Sequence, residues 1–135
     1  MGWQFNQTEP VFRQIAQVLR ARVVSGELAP GAPAPTVRRL AEEAAVNPNT
    51  VQRALTLLEE EGLLHAEGTV GRYVTRDEAV LAEAKDRLQR QVAERFVRET
   101  HALGLRAADL IPYIEKEEAC YGSTHSDLHG SDQEL

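Results

Sequence analysis

Apolar residues recur at helical spacing in several stretches of this chain, and each stretch closes on a turn signal. Val11, Phe12, Ile15, Val18, Leu19 and Val23 trace one stripe that stops at Ser25-Gly26, glycine being the usual residue past a helix end. The run E-L-A-P-G-A-P-A-P follows, with Pro30, Pro33 and Pro35 around Gly31. Proline fixes φ and lacks an N–H, so this stretch predicts a stiff loop and neither helix nor central strand. Thr36 can cap a short helix over 37–44, whose inward positions are Val37, Leu40, Ala41 and Ala44. After the turn Ala45-Val46, Asn47 and Pro48 form a cap and first helical position, and Val51, Ala54, Leu55 and Leu58 make the next stripe, ended by Gly62. L-L-H-A-E, G-T-V-G and R-Y-V-T then predict strand, glycine-rich turn and strand.

The second half is helical again. Leu81, Ala84, Leu88, Val92, Phe96, Thr100 and Leu103 predict a helix over 77–103, a rod of roughly 40 Å. Gly104 closes it, and a further helix is expected around 107–119 with Leu110, Ile111 and Ile114 inward. Pro112 inside that stretch predicts a kink or a late start at Ile111. Two such helices cannot bury their apolar stripes alone, so the segment predicts packing against a second copy of the chain, which also supplies the two-fold symmetry that half-site recognition needs. The dimerisation residues expected on this basis are Leu81, Ala84, Leu88, Val92, Phe96, Leu103, Leu110 and Ile114.

The helix over 47–61 carries the chemistry. Opposite its apolar stripe stand Asn49, Thr50, Gln52, Arg53 and Thr56, with no carboxylate before Glu59. Amide and guanidinium side chains are the ones that form bidentate pairs with purine edges in a DNA major groove. Two short helices joined by a tight turn, the second one polar-faced, followed by a hairpin, describe a winged helix-turn-helix. The expected fold is mainly α with a small β-hairpin: a winged helix-turn-helix over 1–76, a short two-helix dimerisation segment over 77–119, and a disordered polar tail over 120–135.

The net charge of −6 argues against a DNA binder until the chain is divided. Residues 1–75 hold seven arginines, no lysine and eight acidic residues, so this half is nearly neutral, while 76–135 hold eight basic and thirteen acidic residues. Arginine without lysine favours fork-like phosphate and guanine contacts over diffuse attraction, and weak non-specific affinity is expected. The single cysteine, Cys120, supports no disulfide framework, and the N-terminal segment lacks a secretory pattern. With no apolar run long enough to span a bilayer, a cytoplasmic protein without a membrane partner is expected.

P-V-F-R-Q-I, S-G-E-L-A-P-G, P-T-V-R-R-L-A, V-N-P-N-T-V-Q-R-A-L and E-E-E-G-L-L, in this order and spacing, resemble the DNA-binding signature of the GntR family of bacterial repressors. N-P-N-T-V-Q-R and the short C-terminal part look like its YtrA subgroup. The close resemblance covers about residues 5–75. It implies a dimeric repressor of an inverted-repeat operator in double-stranded DNA, at an ABC-transporter operon. Arg38 matches the family arginine that reaches phosphate and a base edge. Asn49 and Thr50 suit phosphate anchoring at the helix N-terminus. Gln52 stands where many relatives carry a base-reading arginine; Gln pairs with adenine N6/N7 where Arg pairs with guanine, so more A·T readout is expected. Arg53 beside it suits a guanine or a phosphate. Gly68 and Thr69 match the wing tip laid along the minor groove. The chain departs from the family at Ala45, where glycine is usual, and at Glu67 and Gly68, where wing positions are often basic. Glu67 is expected to face away from DNA, leaving Arg72 as the wing's cation.

A winged-helix protein-interaction module would lose the polar recognition face and the wing arginine, and this chain keeps both. An enzyme is disfavoured: His65 and His101 have no nucleophile or paired carboxylate beside them, and no phosphate loop appears. Cys120, His125 and His129 form a C-x4-H-x3-H run, but three ligands on a polar tail with no supporting shell assign no metal, and no cofactor is expected. With so short a C-terminal part no ligand pocket is evident; a small-molecule effector would bind at the dimer interface or between the two parts.

Overall fold

A computed structural model describes residues 3–69 and 71–133, the last eleven of them by backbone only. The element order is α1 (Val11–Val24), α2 (Val37–Ala44), α3 (Pro48–Glu60), β1 (Leu64–Glu67), β2 (Gly71–Val74), α4 (Glu78–Ala102), a 3-10 turn (Ala107–Leu110) and α5 (Ile111–Gln133). Packing divides the chain into two units, Met1–Gln89 and Arg90–Leu135, with the division inside α4.

In the first unit α1, α2 and β1 all pack on α3. Its centre is aliphatic: Ile15, Leu40, Val51, Leu55, Leu58 and Val74 are completely buried. Each large side chain so removed from water stabilises the unit by ~1.5–3 kcal/mol before conformational entropy is counted. Asn47 accepts a hydrogen bond from the Asn49 N–H at 2.8 Å and Pro48 occupies the first turn, so α3 begins where its cap dictates. Thr36 does the same for α2, accepting from the Arg39 N–H at 3.1 Å. At the far end of α3, Arg20 of α1 grips the Glu61 carboxylate through two hydrogen bonds of 2.8 and 2.6 Å. This forked pair fixes α3 against α1.

β1 and β2 pair antiparallel, Leu64 opposite Val74 and Glu67 opposite Gly71. The proline-rich loop joins them at the edge. Gly31 and Ala34 donate their N–H groups to the carbonyls of Val74 and Arg72, the Val74 N–H is accepted by Ala32, and Pro33 bridges Tyr73. The prolines fall where no donor is required, which an edge permits and a central strand would not. Ahead of α1, Asn6 accepts from the N–H groups of Thr8 and Glu9 and Gln14 clasps the turn, while Trp3 and Phe5 pack against the core.

Asp77 caps α4 through the Ala79 N–H at 3.0 Å. Val80, Leu81 and Ala84 in its first two turns pack on the winged-helix core, so the unit extends past residue 76. In the second unit α4 closes on Gly104, with the Leu105 N–H donating to the Thr100 carbonyl at 3.2 Å. α5 starts at Ile111, placing Pro112 in the first turn, where its missing N–H costs nothing. The backbone of α5 runs on to Gln133, into the segment expected to be a disordered tail over 120–135, whose last two residues lie outside the described ones. Adding residues to a nucleated helix is easy, and E-K-E-E-A are good helix formers.

Candidate nucleic-acid interface

The exposed face of α3 presents Asn49, Gln52, Arg53 and Thr56, with Thr50 half-buried at its edge. No acidic residue lies in the first turn, so the N–H groups and dipole there favour an anion. Asn47 is occupied as a cap. Arg38 is highly exposed, its side chain 90% accessible, and sits 3.3 Å from Glu42 one turn away. Such exposed pairs contribute a few tenths of a kcal/mol, so a phosphate can displace Glu42 readily. Arg39 pairs likewise with Glu43 at 3.2 Å.

The wing is tied to α3. Arg72, expected as its cation, is held by the Glu59 carboxylate, and the pair is partly buried. Arg72 thus braces the hairpin against the recognition helix, thirteen residues away in sequence, a link that no local pattern announces. Gly68 and Thr69 lie exposed at the wing tip, and Gly68 adopts a left-handed φ of 56°. The Glu67 carboxylate approaches His65 Nε2 at 3.2 Å, and the His65 ring stacks on its cross-strand partner Tyr73. Nearer the start of α3 the Arg53 guanidinium lies 4.0 Å above the Phe12 ring of α1, a contact also invisible to sequence spacing.

Among the expected dimerisation residues, Leu81 and Ala84 are taken up by the winged-helix core and Leu88 is half-buried. Within the second unit Val92, Leu103 and Ile114 are exposed, while Phe96 and Leu110 are partly covered. Phe96, Leu110, Tyr113, Ile114 and Tyr121 line an open apolar groove of about 610 Å³. The side chains of His125 and His129 lie outside the described residues, and among those described no group of three His, Cys, Asp or Glu could hold a metal.

The model of the family described as "Bacterial regulatory proteins, gntR family" matches residues 12–74, from Phe12 through the wing. Over 115 residues the chain is 35% identical to the uncharacterized HTH-type transcriptional regulator YhcF of Bacillus subtilis, covering 85% of this chain and 95% of that one. The chain belongs to the GntR family. It is a DNA-binding transcriptional regulator, and its relatives are regulators, not enzymes. It is also 29% identical to the HTH-type transcriptional repressor YtrA of Bacillus subtilis, over 82% of this chain and 85% of that one. A GntR family transcriptional regulator from Listeria monocytogenes has a similar structure, with a TM-score of 0.74, 29% identity, and coverage of 83% of this chain and 98% of that one. Among the described residues no helix is long and apolar enough to cross a membrane.

Proposed function

We propose that this GntR regulator is a homodimeric repressor that binds an inverted-repeat operator through α3 and the wing. The observation that carries the reading is the exposed, acid-free first half of α3, capped at Asn47, with Arg53 over the Phe12 ring and the helix end tied to the wing through Glu59. Gln52 reads an adenine edge, Arg53 a guanine or a phosphate, and Asn49 and Thr50 anchor phosphate at the helix start. Arg38 takes a phosphate in exchange for Glu42. Gly68 and Thr69 bring wing backbone to the minor groove, and Arg72 contacts DNA from its brace on Glu59.

The dimer reading is supported by apolar side chains of the second unit that stand exposed among the described residues: Val92, Leu103 and Ile114. A second copy would cover them and set two recognition helices about one DNA turn apart. An effector, where one acts, would enter at that interface. The proposed target, an ABC-transporter operon, rests on the likeness to YtrA alone. Selection of random duplexes on the purified chain tests the reading: an enriched inverted repeat supports it, and no enrichment by folded protein overturns it.

A further inference from the structure

Five of the seven arginines in residues 1–75 carry a carboxylate partner: Arg20 with Glu61, Arg22 with Glu27, Arg38 with Glu42, Arg39 with Glu43 and Arg72 with Glu59. Among the described residues, Arg13 and Arg53 have no ion pair. Both place their guanidinium over one ring, that of Phe12, at 5.2 Å for Arg13 and 4.0 Å for Arg53. Two uncompensated cations would drift apart in water; a ring's negative face attracts both and limits where each can go. Phe12 itself is packed against the core, so the platform is fixed. Together with Gln52 and Thr56 the three residues line a shallow hollow of about 330 Å³ on the flank of α3. Glu60 lines the same hollow two turns beyond Arg53, and its carboxylate repels a phosphate from that end.

We infer that Arg13, Phe12 and Arg53 form a preassembled phosphodiester clamp beside the recognition helix. Arg13, at the start of α1, takes a backbone phosphate; Arg53 is aimed from the same platform into the groove; Phe12 is the positioning residue for both. The clamp brings together the two arginines of residues 1–75 that have no ion pair among the described residues, in a stretch that is nearly neutral overall, so it fixes register on DNA while leaving general affinity weak. The inference rests on the DNA-binding reading and adds two residues, Phe12 and Arg13, to it.

The test uses the full chain and its selected duplex, with binding followed by fluorescence anisotropy from about 50 to 200 mM salt. Arg13→Gln is expected to lower the salt slope by about one unit while leaving the melting curve unchanged, since Arg13 is exposed. Phe12→Leu keeps apolar volume but removes the ring, and is expected to weaken binding at every salt and relax base preference at one position per half-site. Phe12→Tyr keeps the ring and is expected to bind as wild type. A wild-type slope in Arg13→Gln, or wild-type binding by folded Phe12→Leu, would overturn the clamp. If Phe12→Leu does not fold, the Arg13→Gln slope decides. Absence of salt-dependent binding by the wild type would instead overturn the regulator reading.

Discussion

Replacing Ala45 by glycine should stabilise the winged unit. Ala45 is the corner between α2 and α3, and it holds φ 56° and ψ 48°, the left-handed region, as the single described non-glycine residue with positive φ. The corner is closed by its own N–H and that of Val46, both donated to the Ala41 carbonyl. A Cβ in this conformation costs ~1–2 kcal/mol. Glycine removes that cost but loses more freedom on folding, roughly 0.5–1 kcal/mol. Ala45 is exposed, so its methyl contributes no packing to offset the balance. The net gain for Ala45→Gly is therefore about 0.5–1 kcal/mol, a rise of roughly 3–6 °C in the Tm of a unit this size. Thermal and urea unfolding followed by Trp3 fluorescence reads it, because Trp3 packs on the winged-helix core. Ala45→Val, branched at Cβ, should move the other way. A Tm for Ala45→Gly at or below wild type, with Ala45→Val unchanged, would refute the claim that this corner is strained.

Removing the cap of α3 by Asn47→Ala should cost ~1 kcal/mol by urea unfolding, since the Asn49 N–H loses its acceptor. Arg38→Ala should weaken binding to every DNA sequence and flatten the salt slope by about one unit in an anisotropy titration. Because the Arg38–Glu42 pair is exposed, the melting curve of Arg38→Ala should stay within ~0.5 kcal/mol of wild type. Phe96→Arg puts a charge into the apolar groove of the second unit and should yield monomer by light scattering, while the winged unit, read through Trp3, melts as before.

The winged helix was legible because its signals are local. Helical stripes, Thr36 and Asn47 at cap positions, and glycines past helix ends specify each element within a few residues, and the structure follows them. What sequence could not reveal depends on contacts between distant positions. Arg72 reads in sequence simply as the wing's cation; its partner Glu59 lies on another element, and only the folded hairpin brings them together. Phe12 looked like one more core position of α1, and nothing in its stripe indicates that Arg53 stacks on it. The apolar positions of α4 form one continuous pattern, yet Leu81 and Ala84 are used by the winged-helix core while Val92 stays exposed. Periodicity tells which face is apolar, and it is silent on what covers that face.

In the proposed repressor α3 reads base edges, with Gln52 as a direct reader on each half-site. Parallel selection of random duplexes on wild type and on Gln52→Arg tests it most directly, because Gln52 is exposed and its replacement leaves the core untouched. One inverted repeat is expected from both proteins, with adenine exchanged for guanine at a single symmetric position in the Gln52→Arg motif. Identical motifs from the two proteins, or no motif from folded wild type, would contradict that role.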